Sequence, residues 1–230
     1  MKVISWNSNC AFRNKFELLD SYDADILIIQ ECEDPASSKD NKYRDWATNY
    51  LWIGENKHKG LGVFAKDDIS LTPLDWESKK LKYFIPCSVN GQFNLLGVWC
   101  YGAKEKKYSY IAQLWLYLEE HKEKFENMLI AGDFNSNSIW DNSRVRNHTE
   151  VVRELKEIEI ESIYHTYFNE NQGNESIPTL FFRKELDRPF HIDYMFGSSM
   201  FHKNVISYNI GKPDQWLKYS DHMPIVYEFE

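Results

Sequence analysis

The chain has 230 residues, a formal net charge of −8, a hydrophobic share of 43% and eight Trp. That is enough apolar material for a packed core, so wholesale disorder is excluded, and no run approaches the roughly 18 apolar residues that span a bilayer. The acidic balance excludes broad electrostatic attraction to nucleic acid or anionic membrane, although a divalent cation and a few local Lys and Arg invert the field inside a site.

Residues 2–7 (KVISWN) form a short β-rich run. Residues 12–22 place apolar side chains at Phe12, Phe16, Leu18, Leu19 and Tyr22, a helical stripe. Residues 25–31 (DILIIQE) are nearly continuous in apolar residues, as in a strand buried on both faces. Strand, helix and strand in about 30 residues make a βαβ-like start. Runs at 50–54, 61–65, 70–76, 83–89 and 93–100 follow closely, with turn residues such as Asn90-Gly91 between them, and are expected to pair antiparallel. Residues 108–125 predict a helix with Ile111, Leu114, Trp115 and Leu118 on one face. Residues 128–132 predict a buried strand, and 148–158 a helix carrying Val151, Val152, Leu155 and Ile158. The polar stretch 169–176 reads as a surface loop, and strands near 179–182, 192–197 and 224–229 close the chain. No linker or repeat divides it, so one domain over residues 1–230 is expected. The sum is an α/β protein with two packed sheets and helices outside. A doubly wound parallel sheet fits poorly, because residues 50–100 lack crossover helices.

Cys10, Cys32, Cys87 and Cys100 show no C-x-x-C pairing, and MKVISWNSN has no apolar signal region. Reduced thiols in a cytoplasmic protein are expected.

Polar residues end several apolar strands: Asn7 with Asn9 close behind, Glu31 after IIQ, and Asp133 and Asn135 in GDFN. Asp193 interrupts the apolar run HIDYMF, and Asp221-His222 precede the last strand. Any one alone is ordinarily a turn former or helix cap. Together they put carboxylates and amides at strand ends, where α/β proteins build sites. A carboxylate inside an apolar strand needs partners or a metal. An oxygen-rich set without Cys ligands favours Mg²⁺ or Mn²⁺ over zinc.

These residues also carry a family pattern. SWNSN, ADILIIQE, GLGVFAK, AGDFNS, PTLFFR, HIDYMFGS and SDHMPI run in order nearly end to end. The chain thereby resembles the endonuclease/exonuclease/phosphatase superfamily, most closely exonuclease III-type and abasic-site endonucleases. The resemblance implies a four-layer α/β sandwich of the DNase I-like kind, two packed mixed sheets flanked by helices. It also implies a phosphoesterase using one or two Mg²⁺ or Mn²⁺ ions. Glu31 would be the principal metal ligand with Asn7 and Asn9 beside it. Asp133 would orient or deprotonate the attacking water, and Asn135 would help hold the phosphate. Asp193 would support the site through His222 or the metal, and His222, oriented by Asp221, would contact a phosphate oxygen. Tyr101 or Trp99 falls where members often have Tyr or His. His191 stands where many carry Arg, and His58 resembles a His of exonuclease III-type sequences or is a solvated loop residue.

Shared catalytic motifs do not select the ester. Arg13, Lys15, Lys104, Lys106, Lys107, Arg144 and Arg146, with Trp140 and Trp216, fall in loops expected near the site, a mix suited to nucleic acid. Arg13, Lys104, Arg144 and Trp140 are the expected substrate contacts. A DNA endonuclease or exonuclease is the first expectation. RNA or a small phosphate ester is the alternative, and a non-catalytic binding module the remote one. No membrane and no obligate protein partner are expected.

Overall fold

The computed structural model describes residues 1–105, 108–141 and 145–230. Among the described residues run fourteen strands and six α-helices. β1 (Lys2–Asn7) and β2 (Ile26–Cys32) precede α1 (Asn41–Trp46), β3 (Tyr50–Asn56), β4 (Lys59–Ala65), β5 (Leu71–Pro73), β6 (Phe84–Val89) and β7 (Phe93–Trp99). Then come α2 (Ile111–His121), β8 (Met128–Asp133), α3 (His148–Glu157), β9 (Ile160–Ser162) and α4 (Ile163–Phe168). The chain closes with β10 (Leu180–Phe181), β11 (Pro189–Phe190), β12 (Asp193–Ser198), α5 (Ser199–Lys203), β13 (Val205–Ile210), α6 (Pro213–Trp216) and β14 (Ile225–Phe229).

Two mixed six-stranded sheets result, ordered β13-β14-β1-β2-β4-β3 and β5-β6-β7-β8-β12-β9, with β10-β11 as a separate hairpin. The continuous apolar strands are explained by burial on both sides. Ile26 and Ile28 of β2 face the inter-sheet core with Leu129 and Ala131 of β8. Leu27 and Ile29 face an outer layer with Phe12, Phe16, Tyr43 and Trp216. Met128 and Ile130 face the other outer layer, formed by Leu114, Tyr117 and Leu118 of α2 and Val151 and Leu155 of α3. Truncating one such core Ile or Leu to Ala costs about 2–5 kcal/mol.

The connection from β1 to β2 is not the expected α-helix. It is two 3-10 segments, Phe12–Asn14 and Phe16–Tyr22, broken at Lys15. Phe12, Phe16 and Leu19 still bury there, so the apolar stripe persists while the helix type changes. The helix expected at 108–125 starts only at Ile111, after Tyr110 adopts φ +53. The edge strand β13 carries no clear apolar signal in the sequence, because its side chains are mostly half-exposed.

The inner-face alternation positions the site. Val3, Leu129 and Met195 lie in the inter-sheet core, and the same faces continue two or four residues on to Asn7, Asp133 and Asp193. The sandwich is apolar in its middle and turns polar at one mouth.

Candidate active site

Asp133 is fully buried at the end of β8, where β7 runs parallel and β12 antiparallel beside it. Its register partner on β12 is Asp193. Gly132 before it is required, because a Cβ there would sit 1.8 Å from the Val98 carbonyl oxygen. The Asp133 Oδ2 accepts from Asn7 Nδ2 at 3.0 Å and Asn135 Nδ2 at 2.8 Å, and Oδ1 accepts from the Asn135 backbone N–H at 2.8 Å. Asn135 reaches this position through a left-handed turn, φ +49.

Burial drives the Asp133 carboxyl up to about 7. The His222 charge and the Asn7 and Asn135 hydrogen bonds oppose that rise, and the Asp193 charge adds to it. A carboxylate poised near neutrality is suited to general-base work.

His222 Nδ1 lies 2.9 and 3.1 Å from the two Asp193 oxygens. Asp193, not Asp221, therefore orients the imidazole. Burial alone would pull His222 down, but the Asp193 charge and hydrogen bond, with Asp133 and Asp221 behind, raise it to about 10. Asp221 instead accepts from Asn9 Nδ2 at 2.9 Å. The backbone around His222 is clamped to β1: Trp6 Nε1 donates to the His222 carbonyl at 2.9 Å, and Ser220 Oγ donates to the Asn7 carbonyl at 2.7 Å.

Glu31 lies just beyond the β1–β2 pairing, at a bulge and with φ +61, a strained conformation of the kind that gathers at functional sites. Its Oε2 meets Lys59 Nζ at 2.9 Å and the Cys10 thiol at 3.4 Å. Burial draws the Lys59 ammonium down, but the Glu31 hydrogen bond and charge, helped by Cys10 and Tyr101, outweigh it and raise its pKa. Asn9, Cys10 and Ala11 are all left-handed. This turn is held by Lys15 Nζ, which donates to the Ser8, Cys10 and Tyr219 carbonyls at 2.6, 2.9 and 2.9 Å. The donor set on this side (Glu31, Asn7, Asn9 and Asp221) is rich in oxygen, which fits a hard divalent cation. Asp133, Asp193 and His222 also offer ligand atoms within 4.8 Å of one another, but there Asp193 and the imidazole already satisfy each other.

Several of the expected substrate contacts are engaged with other partners or are buried. Arg13 pairs with Glu33, and Lys15 serves the backbone as described. Arg146 stacks over Trp115. Trp216 is buried against Trp6, ring centroids 5.0 Å apart, so it is core rather than a loop contact. His58 is exposed in the β3–β4 turn, and His191 is buried, pushed down to about 4 by burial while its Nδ1 bonds the Ile177 carbonyl. Trp99 is buried and Tyr101 exposed, its ring edge-on to Trp99 at 5.0 Å. Lys104 is exposed, and Trp140 is partly exposed beside Phe190. Lys106, Lys107 and Arg144 lie outside the described residues. Lys59 escaped the sequence reading, because only the pairing of β2 with β4 brings it to Glu31.

The description "Endonuclease/Exonuclease/phosphatase family" matches residues 4–222. The chain belongs to this family. It is thus a member of a phosphoesterase family, and its two-sheet sandwich is that family's fold. No curated protein matches the chain. Solved structures similar to it include the 3'-5' exonuclease NExo from Neisseria meningitidis (17% identity, TM-score 0.74, 100% of both chains covered). A 3' phosphatase form of NExo bound to a product DNA hairpin is also similar (16% identity, TM-score 0.74, covering 100% of this chain and 99% of that one). An AP endonuclease from Archaeoglobus fulgidus has 18% identity and TM-score 0.73, with 100% of this chain and 99% of that one covered. At such identities the likeness is one of fold.

Proposed function

We propose that this family member hydrolyses phosphodiester bonds in nucleic acid, DNA first, with a divalent cation held by Glu31, Asn7 and Asn9. The observation that carries this reading is the convergence of Asn7, Asp133, Asn135, Asp193 and His222 at one mouth of the sandwich. The cation supplies charge neutralisation at the phosphoryl oxygens. Asp133 takes the proton of the attacking water, and Asn7 and Asn135 hold its carboxylate in line. Asp193 fixes His222 through Nδ1, leaving Nε2 to donate to a phosphate oxygen as negative charge develops. Asn135 is the further phosphate contact, and Tyr101 supplies an exposed hydroxyl.

The nucleic-acid reading is supported by partly exposed Trp140 and Phe182. They flank the β10–β11 hairpin, which Leu180 bridges to His222. Arg188 and Arg183 lie over the Phe182 ring at 4.8 and 5.3 Å, adding positive charge where bases would stack. The DNA hairpin in a neighbour of the same fold points the same way. A small phosphate ester is the second reading, favoured by the net charge of −8 and by Arg13 and Lys15 being engaged internally.

The test is incubation with end-labelled single-stranded, duplex and abasic-site DNA, with Mg²⁺ or with EDTA, beside Asp133→Ala. Metal-dependent cleavage is expected, with turnover of the variant lower by roughly 10²–10⁴ and its thermal melt still cooperative. If all three DNAs survive a folded, cation-binding protein, the DNA reading fails and small esters take its place.

A further inference from the structure

Lys59 starts β4 and stands against the carboxylate assigned to the cation, with its Nζ 2.9 Å from Glu31 Oε2. The same ammonium lies 5.3 Å from the centroid of the Trp99 ring. Trp99 is the register partner of Asp133 across β7 and β8, so Lys59 reaches from the cation side toward the strand that carries the candidate base. Two other cations of this corner have fixed employment: Arg13 on Glu33, and Lys15 on four backbone carbonyls. Lys59 alone among these three is bound to a group that the proposed chemistry needs for something else.

We propose that Lys59 is a phosphate-binding residue held in reserve by Glu31. It neutralises that carboxylate while no cation engages it, and turns to a phosphate oxygen of the substrate once one does. The inference rests on the assignment of Glu31 given above. An ammonium and a divalent cation cannot share one carboxylate oxygen without mutual repulsion, so each weakens the other's hold on Glu31. A partly buried ammonium that loses its anion needs another, and a flexible four-carbon stem lets it reach one. The Trp99 face gives the ammonium a resting surface between the two positions.

The experiment is calorimetric titration of MnCl₂ into substrate-free wild-type protein, Lys59→Gln and Lys59→Arg, with melting curves to establish that each is folded. Lys59→Gln is expected to bind Mn²⁺ roughly fivefold tighter or more. Inorganic phosphate is then titrated in at saturating Mg²⁺, where Lys59→Gln is expected to bind roughly tenfold more weakly and Lys59→Arg to restore binding. Unchanged or weaker Mn²⁺ binding by folded Lys59→Gln would mark a merely structural ion pair and overturn the proposal. Unchanged phosphate binding would do the same. If the wild type binds no Mn²⁺, the assignment of Glu31 falls and this inference with it. If it binds Mn²⁺ and the glutamine variant matches it, this inference falls alone.

Discussion

Two carboxylates at adjacent strand ends behave differently because of what touches them. Asp193 has the imidazole as its counter-ion, whereas Asp133 is fully buried among amide donors and is pushed up to about 7. The His222–Asp193 pair has a consequence for stability. A histidine raised to about 10 in the folded protein, against 6.5 as its ordinary value, contributes stability that is complete below pH 6.5 and lost as pH rises through about 10. Urea midpoints of the wild type should therefore fall between pH 7 and 10. Asp193→Asn should be less stable at pH 6.5 and show a flatter profile above it, with the His222 resonance titrating lower by NMR. A variant with the wild-type slope would refute the pairing. The residue types at this site were legible in the sequence. Which aspartate faces His222 was not, because Asp221 is its neighbour in the chain and Asp193 its neighbour only across the fold.

At the level of elements, the site depends on close backbone packing and on one anchored loop. Gly132→Ala would force a Cβ to within 1.8 Å of the Val98 carbonyl oxygen and pry β7 from β8. The expected loss is about 3 kcal/mol or more in urea denaturation, with activity lost at temperatures where the chain still folds. The loop at 169–176, read from sequence as surface, is on the surface but tied down through Glu175. That carboxylate accepts from His165 Nε2 and Asn137 Nδ2, each at 3.0 Å, and so fixes the segment following Asn135. Burial pushes Glu175 up, but these bonds and the Gly173 N–H win and hold it at about 2 against an ordinary 4.5. Its contribution is present above pH 4.5 and lost as pH falls toward 2. His191 refuses a proton until about 4, whereas the unfolded chain accepts one near 6.5, so stability also declines from pH 6.5 to 4. Glu175→Gln should cost on the order of 2 kcal/mol at pH 7, and the gap from wild type should close on acidification. A gap that stays constant down to pH 3 would contradict this account.

For the molecule as a whole, charge sets how a polyanion is bound. The net charge is −8, and among the described residues few cations near the site are free of carboxylate or backbone partners. If DNA is the substrate, only about two to four phosphates are neutralised, and log K against log salt should slope at roughly −2 to −4. A slope near −8 would contradict this account. No helix among the described residues is long and apolar enough to cross a membrane.

The sequence by itself determined the strands buried on both faces, the helical faces of α2 and α3, and the inventory of strand-end carboxylates and amides. Those signals are local: they depend on periodicity and on residue type within a few positions. Tertiary structure decided the rest. The 3-10 crossover from β1 to β2 follows from the break at Lys15 and the left-handed turn before it, whose carbonyls Lys15 caps. Trp216 became core because Trp6 lies opposite, Arg13 was drawn to Glu33, and Lys59 entered the site because β4 pairs with β2. Each of these is a contact between residues distant in the chain. Periodicity records which face a side chain occupies, and only the packing of the sheets decides what stands across from it.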